Sequence, residues 1–373
     1  MRIYTCTPVS FAADRGFFIR DTGLICRHLR EMGVDSRAVM PLPTHAEDEP
    51  DGPQLRVPYE QLESADWWRA QRLDGVVLYS WAAPRYTPVA RAVHEAGIRL
   101  VVHLDATEDF RPVLPNRRTP LHRLIDTLKE LVQMPRRRRH LAYADAVTMS
   151  AAVAEKLRKS GKLGQRIMQK VVTMPCPVSK NKTYDGTPKE NLLVAVGRWQ
   201  DAWQKRPEML MQTLEMFFAR PDSPADACAE IYGTLTDELH RWHAALPAAV
   251  QGRVLLCGYV DNDELTTAFR RARICLCTSR FESSHIVSAE AVCCGCAVVT
   301  PPREGQLTVV QGYTVHDSGT VATADTPQAL ADALVAEFAA WRESRRDPAA
   351  IAAAWQPMMH ADSVMRTLFS LPK

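Results

Sequence analysis

The sequence predicts an α/β protein built from two consecutive Rossmann-like halves, each a doubly wound parallel sheet. Three observations predict it. Apolar runs rich in β-formers alternate with amphipathic stretches of helical period along most of the chain. The alternation pauses at NKTYDGTPKE (181–190), a polar stretch with Gly and Pro that reads as a linker. The length, 373 residues, suits two domains better than one.

Residues 2–7 open the first half as a strand, and SFAADRG is the loop after it. GFFIRDTGLICRHLREMG has apolar residues at helical spacing, with Gly33 as its stop. SRAVM is a second strand. Residues 41–58, rich in Pro, Asp and Glu, read as loop, and a helix follows near 60–72. DGVVLYSW (74–81) is a strand, TPVARAVHEAG a helix from near Pro88, and IRLVVHLDA (98–106) a strand. Residues 107–140 are longer and basic, with a helical pattern at LHRLIDTLKELV. ADAVTMS, AAVAEKLRKSG and KVVTMPCPVSK then read as strand, helix and strand.

The second half starts at NLLVAVGRW (191–199), a strand. Its helix RPEMLMQTLEMFFA carries Pro207 in the first turn, where a missing N–H costs nothing. ACAEIYGT, DELHRWHAAL, RVLLCGYV and DNDELTTAFRRA continue the alternation. ARICLCTS has the look of a buried parallel strand. A loop, a helix and the strand AVVT follow, and Pro301 and Pro302 stop that strand. GYTV and GTVA read as short strands. TPQALADALVAEFAAWRES is a strong helix starting at Thr326-Pro327, and a terminal helix lies near 356–370.

Composition excludes some classes. A hydrophobic content of 46% with 24% charged residues is ordinary for a soluble globular protein. No run approaches the roughly 20 apolar residues that span a bilayer. The N-terminus has a strand pattern, not that of a signal peptide, so a cytoplasmic location is expected. Of the ten cysteines, Cys275, Cys277, Cys293, Cys294 and Cys296 cluster. Their spacing is not that of a zinc ribbon, and core packing in a reducing compartment accounts for them. There is no phosphate loop of the GxxxxGK[ST] type, no HExxH, no GxSxG and no DxD metal pair.

The chemistry concentrates in RFESSHIVSAEAVCCGCAVVTPP (280–302). Glu282 and Glu290 stand eight positions apart, a little over two helical turns. They share one helix face if the helix begins near Glu282. If Glu282 lies in the loop, it stands over the helix N-terminus while Glu290 points up from inside. Either way the N–H groups of Ser284, His285, Ile286 and Val287 face the same space, a place for an anion beside two acceptors of hydroxyl groups. Upstream, GRWQDAWQKRPEML puts Arg198 and Lys205 between a strand and a helix, at the carboxyl end of the sheet where ligands bind. Two cations and a helix N-terminus suit a diphosphate leaving group.

ESSHIVSAEAVCCGCAVV resembles the donor-binding signature of the family 4 glycosyltransferases, group 1 enzymes of the GT-B fold that act with retention. Glu282, Glu290, Ala291, Cys294, Gly295, Cys296, Val298 and Val299 fall in register with it. The sequence departs where the family's Gly-Phe-Gly is Ser283-Ser284-His285, where its common Pro is Ala297, and where the Gly of its Lys-Gly is Arg206. Ser and His restrict a backbone approach that Gly permits.

The resemblance implies two Rossmann-like domains facing a cleft. Residues 1–180 would bind the acceptor and 181–355 the nucleotide-sugar donor, with helix 356–373 crossing back to the first domain. It implies a hexosyltransferase-type enzyme that moves a sugar from a UDP- or GDP-sugar to a glycan, a lipid-linked or a small-molecule acceptor. No cofactor or metal is required. Glu290 would hold the ribose hydroxyls and Glu282 the donor sugar hydroxyls, while Arg198 and Lys205 would hold the diphosphate. Gly16, in an Arg15-Gly16 turn where the family has a Gly pair, would lie against the phosphates. Gly233 and Val260, in Gly258-Tyr259-Val260, follow strands that meet the nucleobase. His103 would contact the transferred sugar or stabilise oxocarbenium character through its carbonyl, with Asp105 and Glu108 near acceptor hydroxyls.

Two other readings stay open: a catalytically weakened nucleotide-sugar-binding protein, and another GT-B enzyme such as an epimerase. The basic stretch 111–140 holds Arg111, Arg117, Arg118, Arg123, Lys129 and Arg136 to Arg139. An amphipathic helix with basic flanks suits peripheral contact with the inner membrane surface, or it packs its apolar face in the first domain and leaves the arginines solvated. No nucleic-acid recognition motif accompanies it.

Overall fold

The computed structural model describes residues 1–14, 16–19, 21–80, 85–104, 138–161, 163–280, 282, 284–302 and 309–370. The chain forms two compact units, Met1–Pro177 with Ala361–Lys373, and Val178–His360.

The first unit contains seven parallel strands. These are β1 (Ile3–Cys6), β2 (Ala38–Pro41), β3 (Gln54–Val57), β4 (Gly75–Ser80), β5 (Arg99–Leu104), β6 (Ala146–Met149) and β7 (Val171–Thr173). Their order is β3-β2-β1-β4-β5-β6-β7. The helices are α1 (Asp21–Glu31), α2 (Tyr59–Leu62), α3 (Ala65–Ala70), α4 (Tyr86–Glu95), α5 (Ala151–Ser160) and α6 (Gln165–Met168). The order reverses between β1 and β4, which places the loop after β1 at a switch point.

Two expectations fail here for physical reasons. Residues 41–58 are not all loop, because β3 pairs in parallel with β2, Met40 opposite Arg56. An edge strand needs neither length nor an apolar pattern, and Pro53 and Pro58 fence it. The helix near 60–72 is two short ones. Ser64 restarts it, its hydroxyl accepting the Trp67 N–H.

The second unit contains β8 (Glu190–Arg198), β9 (Cys228–Thr234), β10 (Val254–Gly258), β11 (Ala272–Leu276), β12 (Ala297–Thr300) and β13 (Gly319–Val321), in the order β10-β9-β8-β11-β12-β13. Its helices are α7 (Pro207–Phe218), α8 (Asp237–Ala245), α9 (Ala248–Gln251), α10 (Asn262–Arg271), α11 (Ile286–Cys293), α12 (Val309–Gly312), α13 (Pro327–Arg342) and α14 (Pro348–Met359). Successive strand residues point to opposite faces. Leu193, Ala195, Ile274 and Leu276 pack with Leu210, Phe217, Leu334 and Phe338 of α7 and α13. Leu192, Val194, Cys275 and Cys277 pack with Val292, Ile351 and Trp355 of α11 and α14. The sheet is therefore covered on both sides, the doubly wound arrangement.

GYTV is the end of α12 and a turn, while GTVA supplies β13. The single helix expected from 356 is two helices. α14 ends at Met359, His360 turns to φ −59°, ψ 138°, and α15 (Ala361–Ser370) begins. Val364 and Met365 of α15 join Ile25 and Leu29 of α1 in a core cluster of the first unit. Among the described residues, no helix is long and apolar enough to cross a membrane. The basic stretch 111–140 lies outside the described residues up to 137, as do Arg15, Asp105, Glu108 and Ser283.

Candidate functional site

The second sheet changes direction between β8 and β11. In a parallel sheet the crevice at that point, beyond the carboxyl ends of the strands, is where ligands bind. Two loops border it: residues 199–206 after β8 and, after β11, the described residues 277–280, 282, 284 and 285. They are stitched together. Arg280 donates its N–H to the Gln204 carbonyl (2.7 Å), and Thr278 Oγ1 donates to the Lys205 carbonyl (2.8 Å).

α11 begins at Ile286, so Glu282 stands in the loop and Glu290 in the second turn. Glu282 is 7% exposed. Lys205 Nζ donates to its Oε1 at 2.5 Å and Gln204 Nε2 to its Oε2 at 3.3 Å. His285 Nε2 lies 4.0 Å from Oε1. Burial alone would raise the carboxyl pKa, but the His285 and Lys205 charges and a hydrogen bond from Ser279 hold it below the usual range. Glu282 is therefore an anion at neutral pH. The sequence assigned Lys205 and Glu282 to different partners, and the structure joins them.

Glu290 is held differently. Its pKa is raised by burial, against the opposing charges of Lys182 and His285. Lys182 Nζ lies 3.8 Å from Glu290 Oε2, donates to the Asn262 carbonyl at 3.0 Å, and sits 5.5 Å from the Phe269 ring centroid. Lys182 is 0% exposed. The sequence placed this lysine in a polar linker. Nothing local marks it as buried, because its surroundings come from residues 80 to 108 positions away.

Both helices that open onto the crevice start from a left-handed residue. Arg206, before α7, has φ +54° and ψ 64°; His285, before α11, has φ +47° and ψ 65°. Both are positions where the resembled signature carries glycine. The backbone keeps the glycine conformation, at about 1–2 kcal/mol each, and the side chains are anchored. Arg206 Nε donates to the Thr278 carbonyl at 2.7 Å and its guanidinium pairs with Asp325. His285 Nδ1 lies 2.7 Å from Ser288 Oγ.

The remaining second-unit residues line the same sheet edge. Arg198 ends β8, with its side chain 65% exposed and 3.8 Å from Asp201. Ile286 and Val287 form the first turn of α11, where helix geometry leaves N–H groups without an intrahelical carbonyl. Ser284 offers its carbonyl to Tyr313 Oη at 2.8 Å. Gly233, in β9, has φ +102°, and a Cβ there would meet the Gly197 carbonyl at 2.0 Å, so only glycine fits beside β8. Val260 follows β10 and packs against the core shared with α11.

In the first unit, Gly16 lies in the loop after β1. His103, in β5, is 1% exposed. Its Nδ1 is 2.9 Å from Thr148 Oγ1 and its ring lies 5.1 Å from that of Tyr79. Burial pushes its pKa down to about 4, so the imidazole is neutral at neutral pH. Among the described residues, no group of three His, Cys, Asp or Glu is arranged to hold a metal ion.

Residues 190–338 match the family model of the group 1 glycosyl transferases. No curated protein sequence matches the chain significantly. Solved structures share the fold over the whole chain. Anabaena HepE in complex with UDP and glucose is 17% identical, with a TM-score of 0.65 and 100% of each chain covered. Sucrose-phosphate synthase from Thermosynechococcus elongatus is 14% identical, with a TM-score of 0.63, covering 99% of this chain and 98% of that one. A Listeria monocytogenes protein assigned as UDP-N-acetylglucosamine 2-epimerase is 13% identical, with a TM-score of 0.59, covering 98% and 94%. The two parallel-sheet units have the GT-B fold, and the group 1 glycosyl transferase match lies in the second of them.

Proposed function

We propose that this GT-B glycosyltransferase moves a sugar from a nucleoside-diphosphate sugar to an acceptor hydroxyl with retention at the anomeric carbon. One observation carries the reading. Glu282, Lys205 and His285 converge beside the N-terminus of α11, at the switch point of a sheet whose sequence matches the group 1 enzymes. Anion-binding N–H groups, a cation and an ionised carboxylate are what a diphosphate attached to a polyhydroxylated ring requires.

In this proposal Arg198, Lys205 and the amides of Ile286 and Val287 stabilise charge building on the leaving diphosphate. Glu282 orients hydroxyls of the donor sugar, and Glu290 holds the ribose. Gly233 and Val260 border the nucleobase. The first unit binds the acceptor, a glycan, a lipid-linked or a small molecule, while Gly16 serves the donor phosphates and His103 the transferred sugar. A UDP-sugar is the first donor to test, since HepE holds UDP and glucose.

The test is thermal stabilisation by UDP, GDP and ADP, followed by release of the free diphosphate from the corresponding sugars with and without acceptor. A nucleotide at 100 times its Kd raises stability by about 2.7 kcal/mol. No stabilisation by any nucleoside diphosphate refutes the reading. Epimerisation without acceptor would favour the activity assigned to the Listeria protein. Peripheral membrane contact through 111–140 is part of the proposal and rests on the basic sequence alone. Absence of binding to anionic vesicles at low salt would end it.

A further inference from the structure

The peptide just before α11 is held by a side chain from a distant part of the unit. His285 has a left-handed backbone (φ +47°, ψ 65°), and Ile286 after it is already helical. Successive residues of opposite hand curl the chain into a nest, in which neighbouring N–H groups converge. Here those are the N–H groups of His285, Ile286 and Val287, and none of them donates to an acceptor among the described residues. The His285 N–H shares a planar trans peptide with the Ser284 carbonyl, so the two point in opposite directions. Whatever holds that carbonyl therefore aims that N–H. Tyr313 Oη donates to it at 2.8 Å.

Tyr313 is itself anchored. It follows α12 and is 7% exposed. Its ring centroid lies 5.4 Å from that of Trp355 in α14. Its carbonyl accepts from Ser318 Oγ at 2.7 Å, and Trp355 Nε1 donates to the same Ser318 oxygen at 3.0 Å. We propose that Tyr313 is a positioning residue: by holding the Ser284 carbonyl, its hydroxyl turns the His285 N–H to converge with those of Ile286 and Val287, and the three take an oxygen of the donor diphosphate. The diphosphate half of this statement rests on the proposed function. The contact from Tyr313 does not.

Glycine reaches a left-handed backbone without strain, and histidine does not. With Ser284-His285 in this loop, the conformation needs holding from outside. The His285 side chain supplies one hold through Ser288 Oγ, 2.7 Å from Nδ1. The Tyr313 hydroxyl supplies the other and acts on the peptide itself. A peptide freed from it rotates as a rigid unit, so the change at the anion is twofold. One donor turns away, and a carbonyl oxygen, with its partial negative charge, turns toward the place the donor left. An anionic ligand is sensitive to both; a neutral one is not.

The test compares the full-length protein with Tyr313→Phe, which removes one hydroxyl and keeps the ring against Trp355. Ser-His occurs once in the sequence, so isotope labelling of serine carbonyls together with histidine nitrogens gives a single coupled NMR signal, that of the Ser284 carbonyl and the His285 N–H. The carbonyl shift should change in Tyr313→Phe. The His285 amide proton should move downfield when UDP, GDP or ADP binds the unsubstituted protein. By calorimetry, the variant should bind that diphosphate about tenfold more weakly, the scale of one charge-assisted hydrogen bond. Its affinity for the matching nucleoside, which carries no phosphate, should stay the same. A merely structural role would weaken both alike. An unchanged carbonyl shift in Tyr313→Phe overturns the contact. Equal losses of nucleoside and diphosphate, or an amide proton that the diphosphate leaves in place, overturn the positioning role. If no nucleoside diphosphate binds the unsubstituted protein, the proposed donor function fails and this role with it. If diphosphates bind both proteins equally, this role alone fails, and the carbonyl shift decides the contact in either case.

Discussion

Replacing Lys182 by Met tests whether Glu290 is an anion held by a buried partner. Met keeps most of the stem that lies against Phe269, so the cavity is small. What changes is the charge 3.8 Å from Glu290 Oε2. Removing one partner of a buried pair costs about 3–5 kcal/mol. The separation is at the long limit of an ion pair and the Glu290 side chain keeps 11% exposure, so the low end, about 3 kcal/mol, is expected. The sign of the pH dependence follows from linkage. The folded Glu290 pKa is above 4.5, its ordinary value, so the folded state holds its proton longer than the unfolded chain. Stability from this group is present below 4.5 and lost as pH rises through the folded value. Without Lys182 the folded value rises further and the loss extends to higher pH. Urea unfolding between acid and neutral pH should show a gap between the two proteins that widens with pH, at unchanged m. Adding Glu290→Gln should cancel most of the penalty, giving a coupling of about 2 kcal/mol. A gap that is constant with pH, or a coupling near zero, would refute the pairing.

Glu282→Gln should lower turnover more than nucleotide affinity, because its carboxylate contacts Lys205 and stands before the helix, while Glu290→Gln should mainly weaken nucleotide binding; equal small effects would contradict both roles. Arg198→Ala and Lys205→Ala should each reduce kcat more than they raise KM, since charge on the diphosphate grows in the transition state. Lys205→Ala should also destabilise the fold, as it strips the buried Glu282 of its partner, whereas exposed Arg198 should not. His103→Asn should relieve part of the acid instability. The folded His103 pKa is depressed to about 4 from 6.5, so its stability is present above 6.5 and lost as pH falls toward 4. That loss is on the order of 3 kcal/mol, and calorimetric melting of both proteins across that range would detect its absence.

Periodicity made most elements legible, since a doubly wound sheet writes strands as apolar runs and helices as amphipathic ones. β3 escaped because an edge strand with Arg56 in it has no such signature. α14 was read only from 356, because its alanine-rich start carries little amphipathic signal. In the site, the Glu282–Glu290 spacing was legible from eight residues of sequence. Lys182 was not, because its burial depends on Asn262, Phe269 and Glu290. The Lys205–Glu282 contact was likewise hidden, since it depends on β8 and β11 being neighbours.

The substituted glycines show why sequence departures alone mislead. His285 seemed to restrict the loop it occupies, and Arg206 likewise stands in place of a glycine. Instead each keeps a left-handed backbone and sends its side chain into the neighbouring loop or helix. Arg206 reaches Thr278, Thr278 reaches the Lys205 carbonyl, Lys205 reaches Glu282, and Arg280 reaches Gln204. The described residues of loops 199–206 and 277–285 are therefore one hydrogen-bonded body. Glycine would spare the backbone about 1–2 kcal/mol at each position, but it would remove the anchors. Charge-assisted hydrogen bonds contribute about 1.5–3 kcal/mol each, so the two effects are of similar size. Rigidity is what differs: tethered loops hold Lys205 and Glu282 at fixed positions before a ligand arrives, and a preorganised site spends less binding energy on ordering itself.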